Sequence, residues 1–339
     1  MPPAEPDISA IVARTSRSYD ALPYVSNPFP MTHPALTGAI ARLFALEAAP
    51  LGGARVLELG CAAGGNIIPA AARHPDASVL GIDLSPAQVA GGRARIADLR
   101  LSNIEIRCQS FADFDGRTEG PFDYIICHGV YSWVPAPLRD AILRICRDGL
   151  SRRGVALVSY NVLPGWRMLQ ALRDSFLLHQ KPDADPRRRV AEARALLALL
   201  PRGAPDDGAY KSFLTAEAAR LAAASDDYLA HEFLDDVNEP CTFREFVDAA
   251  QRHDLAFLAE ADLPSMIVGN YPLAMAEVVP RIGGCAARDR AVDRHGERPH
   301  VSPDAAGRRR ARGADRPADR RRAPRRDAFS RRGGPCAHA

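Results

Sequence analysis

The chain has 339 residues, of which 47% are hydrophobic and 25% are charged, with 44 basic and 41 acidic side chains. This composition is typical of a globular protein with a large core, and it excludes mainly disordered, collagen-like and small disulfide-rich chains. No apolar run reaches the roughly 18 residues of a membrane-spanning helix, and the first 15 residues lack the basic and apolar parts of a signal peptide. The seven cysteines form no CxxC pair, which indicates reduced thiols in a cytoplasmic protein.

From residue 54 onwards, short β-branched runs alternate with amphipathic stretches, a pattern typical of βαβ units and a parallel sheet. Ser85 followed by Pro86 predicts that one helix begins there, with the hydroxyl as its cap. Because the strands are apolar throughout, we expect a sheet covered on both faces, in a doubly wound, Rossmann-like α/β domain over 35–165. The predicted strands are 55–59, 78–83, 104–108, 124–128 and 155–160, and the predicted helices are near 66–74, 86–99 and 136–149.

The rest of the first 283 residues divides by composition into three parts. Residues 1–34 form an N-terminal arm, whose aromatic and proline-rich stretch 19–30 is either a packed segment or a lid over the cofactor. Residues 166–208 are a helical connector that ends in a linker at 201–208. Residues 209–283 form a second, smaller, helix-rich domain, with apolar periodicity at 213–234 and 242–258.

The segment 284–339 differs from the rest of the chain. Residues 285–339 hold 16 arginines and seven acids, a net charge of +9, so residues 1–284 carry −6. With Phe329 as its only aromatic residue, this tail cannot bury enough apolar area to offset its ordering entropy, and we expect it to be disordered. Its Ala, Arg, Gly and Pro content also indicates a frameshifted product of a GC-rich gene. The alternative is a basic arm that binds nucleic acid through phosphate contacts; nothing else in the chain indicates a nucleic-acid partner.

The strongest chemical signal is the turn that follows the first strand, VLELGCAAGGN (56–66). Gly60 and Gly64 allow a tight turn and a close approach to a ligand. Asp83 ends the second strand, where its carboxylate can hold both hydroxyls of a ribose. Glu58 would repel phosphate but suits the ammonium of a methionine group, which favours S-adenosylmethionine over a dinucleotide. The alternative is a glycine turn in another sugar- or phosphate-binding α/β protein.

This turn and the second strand end, GIDLS (81–85), resemble the first two motifs of class I S-adenosylmethionine-dependent methyltransferases. Many members of that family carry glycine where this chain has Ala62. The resemblance implies S-adenosyl-L-methionine as cofactor. It also implies a binding site made of Tyr24, Glu58, Gly60, Cys61, Ala62, Gly64, Asn66, Asp83, Leu84, Ser110, Phe111 and His128.

Three further stretches, 19–29, 160–167 and 231–246, resemble a narrower bacterial group within that family. Its members join the catalytic domain to a methyltransferase regulatory domain, and the group includes protein-lysine N-methyltransferases. The loop CHGVYSWVP (127–135) lacks the Asn/Asp-Pro-Pro-aromatic motif of enzymes that methylate amides or bases. The resemblance therefore implies N-methylation of a lysine in a protein substrate. The alternatives are a small-molecule acceptor and a cofactor-binding module without turnover.

The acceptor is predicted to bind at the carboxyl ends of the fourth and fifth strands, where such folds place their sites. An aromatic wall there would lower the pKa of an acceptor amine by partial burial and stabilise its positive charge. His128 or Tyr160 would accept the proton. Core packing is the alternative explanation for each tryptophan, and a strand-end position for the histidine. The candidate catalytic residues are His128, Tyr131, Trp133, Tyr160, Asn161 and Trp166.

The pair His231–Glu232 matches the beginning of the zinc-binding HExxH motif. Position 235 is aspartate rather than the second histidine, so we interpret the pair as part of a solvated or salt-bridged helix face, and no metal site is predicted.

Overall fold

The computed structural model describes residues 8–181, 185–206 and 208–274, and the predictions for the tail lie outside these residues. The strands are β1 Arg55–Leu59, β2 Ser78–Asp83, β3 Ile104–Cys108, β4 Phe122–Cys127, β5 Leu150–Val158, β6 Val162–Leu163 and β7 Cys241–Thr242. The α-helices are α1 Ile8–Ala21, α2 Pro34–Leu43, α3 Ile67–Arg73, α4 Pro86–Asp98, α5 Gly116–Glu119, α6 Ala136–Gly149, α7 Arg167–Leu178, α8 Pro186–Gly203, α9 Ala209–Ala222, α10 Asp226–Leu229 and α11 Phe243–Arg252.

The central feature is a five-stranded, wholly parallel sheet with the strand order β3-β2-β1-β4-β5. The strand order reverses between β1 and β4, and the crevice beyond the carboxyl ends at such a point is where doubly wound folds bind ligands. Alternate strand residues face two apolar clusters. For example, Val56 and Ile126 lie in the cluster with α3 and α4, whereas Leu57 and Ile125 lie in the cluster with α6. The predicted doubly wound α/β fold is confirmed.

The local signals placed most of these elements correctly. β1, β2 and β3 have the predicted bounds, and β4 and β5 extend further towards their N-termini than predicted. The Ser85 hydroxyl accepts a hydrogen bond from the backbone N–H of Gln88 at 3.2 Å, so it caps α4 as expected. The helix α8 continues to Gly203 and includes Pro201, so it takes up the first residues of the stretch predicted as a linker.

The described residues of the unit predicted at 209–283 pack in two places. Helices α7 to α10 and the π-helix Ala230–Leu234 share one apolar cluster around Phe176 and Phe233. The segment that follows returns to the catalytic sheet, where Cys241 and Ala250 join the α6-side cluster. The reason is α11, whose apolar face packs on α6 and β5, while β7 pairs with β6. Residues 241–258 therefore pack with the catalytic domain.

Candidate functional site

The turn between β1 and α3 is held by backbone hydrogen bonds and by unusual backbone angles. The N–H groups of Gly60 and Cys61 donate to the carbonyl oxygen of Ile82 at 2.8 and 3.1 Å, which ties the turn to β2. Gly60 has φ +74°, and a β-carbon there would clash with the Val130 side chain. Ala62 has φ +47°, in the left-handed region that favours glycine. The position where this chain departs from the family motif is therefore a strained one.

Asp83 joins the glycine turn to the start of α4. Its Oδ2 accepts a hydrogen bond from the N–H of Ala62 at 2.8 Å, and its Oδ1 accepts one from the N–H of Ser85 at 2.9 Å. Burial raises the pKa of Asp83 above its usual value. Each carboxylate oxygen keeps a further lone pair, so the group can also accept bonds from two hydroxyls. Leu84 follows it, half-buried, at the same edge.

Glu58 lies beneath the turn and is 3% exposed. Its Oε1 accepts a hydrogen bond from Asn66 Nδ2 at 2.7 Å, whereas its Oε2 is buried without a hydrogen-bond partner. Burial raises the pKa of Glu58 to about 8. An unpaired buried carboxylate oxygen is costly unless a ligand supplies its partner. Cys61, also buried, lies close enough to Glu58 for that carboxylate to help raise the pKa of its thiol, after the larger effect of burial.

The N-terminal arm lies directly on the glycine turn. The N–H of Gly65 donates to Ser26 Oγ at 2.7 Å, and the N–H of Phe29 donates to Asn66 Oδ1 at 2.9 Å. Gln88 Nε2 donates to the carbonyl oxygen of Tyr24 at 3.0 Å. These three contacts hold residues 24–29 against the glycine turn and α4.

Two sequence-predicted cofactor residues lie beyond β3. Ser110 is the N-cap of a short 3-10 helix and accepts a hydrogen bond from the N–H of Ala112 at 3.2 Å. Phe111 is half-buried against the α6-side cluster. Both therefore lie at the carboxyl edge of the sheet, one strand further out than Asp83.

His128 directly follows β4 and is in contact with the arm. Its ring lies 4.3 Å from that of Phe29, centroid to centroid. Burial lowers the pKa of His128 to about 4, and its Nδ1 is buried without a partner. The imidazole is therefore neutral at pH 7, as a proton acceptor must be.

The aromatic candidates Tyr131, Tyr160 and Trp166 pack against α11 or lie within the helical cluster. Tyr131 is 4% exposed and contacts Phe246 of α11, with 5.3 Å between ring centroids. Phe246 also stacks on Tyr160 at 4.3 Å. Trp166 is 9% exposed within the helical cluster. Tyr131 and Trp166 are thus packed like core residues, because α11 covers Tyr131 and the helical cluster covers Trp166.

Trp133 and Asn161 connect the strand-end loops to the C-terminal part. Trp133 Nε1 donates to the carbonyl oxygen of His231 at 3.1 Å. The N–H of Asn161 donates to Ser132 Oγ at 2.8 Å, and its carbonyl oxygen accepts from the N–H of Cys241 at 3.1 Å. Trp133 thus ties the π-helix, and Asn161 ties β7, to the loops after β4 and β5.

The π-helix Ala230–Leu234 is built into the site region rather than being a solvated face, contrary to the sequence interpretation. His231 is 3% exposed, stacks on Tyr19 at 4.0 Å, and contacts the carbonyl oxygen of Leu22 through Nε2 at 2.6 Å. Its Nδ1 lies 3.5 Å from Asp235, so the salt-bridge part of the expectation holds. The physical reason for the burial is the arm, which packs on this helix from about 200 residues away in sequence. π-Helical turns are frequent at functional sites.

A separate cavity of about 720 Å³ lies between α6, α7 and α11. Arg139, Arg167 and Arg252 contribute to its walls, as does Tyr131. None of its lining residues belongs to the glycine turn or to the arm, so it is distinct from the site around Asp83.

The described ranges contain no group of three or more His, Cys, Asp or Glu side chains placed to bind a metal ion. Within the same residues, no helix combines the length and the apolar character needed to cross a bilayer.

Comparison with known proteins decides the family. The family model described as a methyltransferase domain matches residues 56–154, and the predicted methyltransferase regulatory domain matches residues 225–282. The uncharacterized protein RP028 of Rickettsia prowazekii is 33% identical over 250 residues, which cover 73% of this chain and all of that protein. The chain belongs to the S-adenosylmethionine-dependent methyltransferases that carry a methyltransferase regulatory domain.

Two longer relatives cover both parts of this methyltransferase. PKMT2 of Rickettsia typhi, solved in complex with AdoHcy, is 34% identical with a TM-score of 0.69, over 77% of this chain and 50% of that one. The uncharacterized protein RP789 of Rickettsia prowazekii is 38% identical over 276 residues, 81% of this chain and 50% of that protein. The chain thus spans about half the length of these two relatives.

The site geometry fits the cofactor of this methyltransferase family. Glu58 Oε2 lacks a partner and would accept a hydrogen bond from the methionine ammonium. Asp83 presents free lone pairs to ribose hydroxyls, and Gly60 has the positive φ that the tight turn beside Asp83 requires.

Sequence reasoning missed several residues of the methyltransferase site. Ser26 and Phe29 touch the glycine turn or His128, and the proline-rich arm was the only signal for them. Phe246 stacks on Tyr160. No local pattern could place Phe246 there, because Tyr160 lies 86 residues before it in the chain.

Proposed function

We propose that this methyltransferase transfers the methyl group of S-adenosylmethionine to the side-chain amine of lysine in a protein substrate. The observation that carries the proposal is the match to PKMT2, whose abbreviated name denotes a protein-lysine methyltransferase. That match covers 77% of this chain, so it is not confined to the cofactor-binding sheet that methyltransferases with other acceptors share.

The cofactor half of the reaction would rest on backbone geometry and two acids. Asp83 would hold the ribose, Glu58 the methionine ammonium, and the arm would cover the turn through Ser26 and Phe29. S-adenosylmethionine, when bound, supplies a methyl group on a positively charged sulfonium. Excluding water from this site strengthens the electrostatic contacts made within it.

The acceptor half must present a neutral amine, because a protonated lysine has no lone pair to donate. Partial burial lowers the pKa of an amine and so favours this form. The loops after β4 and β5 would provide that environment through His128, Trp133 and Tyr160, with Asn161 orienting the acceptor. The neutral imidazole of His128 is one available proton acceptor.

The regulatory part would govern acceptor access. We assign residues 209–283 to this role, with the helical cluster on one side and α11 on the sheet on the other. Because α11 covers Tyr131 and Tyr160, a movement of this helix would change the surface that the acceptor meets. Cofactor contacts would remain with residues 24–128.

The test is incubation of the purified chain with methyl-labelled S-adenosylmethionine and a bacterial lysate separated into protein and metabolite fractions. We expect label in protein, and mass spectrometry of digests should place it on lysine side chains. An Asp83→Asn variant, prepared in parallel, controls for contaminating methyltransferases. Label confined to metabolites would refute the protein acceptor. Cofactor binding without any labelled product would support a binding module instead.

A further inference from the structure

His231 of the π-helix holds the N-terminal arm at the point where α1 ends. Its Nε2 donates a hydrogen bond to the carbonyl oxygen of Leu22 at 2.6 Å, and its ring stacks on Tyr19 with 4.0 Å between centroids. Leu22 directly follows α1. The last carbonyl groups of an α-helix have no partner within the helix, and a positive charge placed there is stabilised by the helix dipole. An imidazolium ring therefore suits this position.

Both ring nitrogens of His231 face acceptor groups. Nδ1, the nitrogen that does not contact Leu22, lies 3.5 Å from a carboxylate oxygen of Asp235. Only the protonated imidazole carries a proton on each nitrogen, and carbonyl and carboxylate oxygens only accept. Burial by itself would lower the pKa of His231, but Asp235 and the Leu22 carbonyl outweigh it and raise the pKa above its usual value. Geometry and charge thus favour the protonated ring.

The stretch of chain that follows Leu22 reaches the glycine turn. Ser26 Oγ accepts a hydrogen bond from the N–H of Gly65 at 2.7 Å, and the N–H of Phe29 donates to Asn66 Oδ1 at 2.9 Å. Ser26 and Phe29 follow Leu22 by only four and seven residues. A displacement of the arm at Leu22 would therefore be passed on to the part of the arm that lies on the turn.

Asp20 connects the same part of the arm to the acid that would hold the ribose. Ser85 Oγ donates to Asp20 Oδ1 at 2.6 Å, and the N–H of Ser85 donates to Asp83 Oδ1 at 2.9 Å. Tyr19, which stacks on His231, directly precedes Asp20. The end of α1 therefore lies between the π-helix and the cofactor edge of the sheet and is bonded to both.

We propose that His231 is a positioning residue for S-adenosylmethionine, whose protonated ring holds the end of α1 and so keeps residues 24–29 closed on the glycine turn. It acts through the arm, so the regulatory part would influence cofactor affinity as well as acceptor access. The proposal rests on the proposed cover of the cofactor by the arm, and it does not depend on which acceptor is methylated.

The backbone and the side chain of His231 have separate roles in this arrangement. The backbone carbonyl oxygen accepts the hydrogen bond from Trp133 Nε1 at 3.1 Å, which ties the π-helix to the acceptor loop. The ring contacts the arm. A change of the His231 side chain should therefore alter cofactor affinity, whereas Trp133→Phe leaves the ring contacts in place.

The proposal predicts the direction of a pH dependence. As the pH rises through the pKa of His231, the ring loses one of its two protons and its charge, so its hold on the arm weakens and cofactor affinity falls. The charged and titratable groups around the ring are Asp235 of the π-helix, Asp227 of α10, Tyr19 and Tyr24 of the arm, and Arg173 of α7, which bonds to the Asp235 carbonyl oxygen.

The first test compares pH profiles of cofactor binding by the full chain. Calorimetry measures the Kd of S-adenosylhomocysteine at pH 5.5 and 9 for wild type and His231→Gln, whose amide can donate to Leu22 but cannot carry a charge. We expect the variant to bind about tenfold more weakly at pH 5.5 and within about twofold of wild type at pH 9. Because Glu58 titrates in both proteins, the ratio of the two Kd values is the quantity compared. His253→Gln, at an ion pair with Asp140 after α11, is the matched control and should bind like wild type at both pH values.

The second test separates positioning of the arm from a general loss of stability. Residue-resolved hydrogen exchange at pH 5.5 should be faster in His231→Gln at the amides of Gly65 and Phe29, which bond across the contact between arm and turn. The amide of Cys61, which bonds to Ile82, should exchange as in wild type.

Two results would overturn the proposal: a Kd ratio that does not change with pH, or exchange that is accelerated as much at Cys61 as at Gly65 and Phe29. If His231→Gln does not fold, Asp235→Asn, which removes the charge facing the ring, takes its place with the same two expected results. These assays contain no acceptor, so their outcome is separate from whether lysine is the residue labelled in the lysate.

Discussion

The two halves of the candidate site are built in opposite ways. The cofactor half is local: residues 58–66 and Asp83 form one strand–turn–helix unit, in which backbone N–H groups are ordered by a single carboxylate. The acceptor half is assembled from the arm, the strand-end loops and a π-helix more than 200 residues from the arm. A shared cofactor can thus be bound by one short motif, whereas the proposed acceptor half is held together by contacts between distant segments.

The largest effect is expected at Asp83, on which the local half depends. In Asp83→Asn the amide nitrogen would face the N–H of Ala62 or of Ser85, so one hydrogen bond becomes a repulsion and the negative charge at the ribose is lost. Charge-assisted hydrogen bonds contribute about 1.5–3 kcal/mol each, so we expect S-adenosylhomocysteine to bind about 100-fold more weakly by calorimetry. Asp98→Asn, at the exposed end of α4, should be unaffected. An affinity within twofold of wild type would show that the carboxylate does not order this half.

A smaller effect is expected from Glu58, and it concerns the pH dependence of the free energy of unfolding. Burial raises its pKa to about 8 in the folded chain, above about 4.3 for an unfolded glutamate, so the folded state holds this proton more tightly. The free energy of unfolding should therefore fall as pH rises between these two values. Glu58→Gln removes this loss, so without cofactor we expect the variant to be more stable than wild type at pH 9 but not at pH 4.

Thermal unfolding at both pH values checks this expectation. Glu47→Gln, an 87% exposed side chain, is the control. Saturating S-adenosylhomocysteine should narrow the difference at pH 9, because its ammonium supplies the missing partner of the carboxylate. A stability difference that is constant with pH would contradict the buried, proton-binding state of Glu58.

The smallest effect is expected at Trp133, on which the assembled half depends. Trp133→Phe removes the hydrogen bond to the carbonyl oxygen of His231, and a lost bond of this kind costs about 1 kcal/mol. We expect KM for the protein acceptor to rise about fivefold while the Kd of S-adenosylhomocysteine stays constant. Trp166→Phe, in the core of the helical cluster, should instead lower Tm with KM unchanged. Equal changes in KM and in the cofactor Kd would mean that Trp133 affects cofactor binding as much as acceptor binding, and would contradict the division into two halves.

Local sequence predicts the environment of a residue well when its contacts are close in the chain, and poorly when they come from distant segments. Ser85 and Pro86 predicted the start of α4 because a helix cap involves the next three residues only. Tyr131 was expected in an aromatic wall that meets the acceptor, yet Phe246 of α11 packs on it from 115 residues downstream. His231 was assigned to a solvated or salt-bridged face, but Tyr19 and Leu22 bury it.

The sequence by itself determined the parallel sheet, the glycine turn with its two acids, and the cofactor class. Each of these depends on strand periodicity or on spacing within about 30 residues, where chain geometry leaves few alternatives. The tertiary structure alone decided that the arm lies on the turn, that α11 returns to the sheet, and that Tyr19 and Leu22 bury His231 of the π-helix. Those features arise from apolar burial and hydrogen bonds between distant segments, and such contacts leave no periodic trace in the sequence.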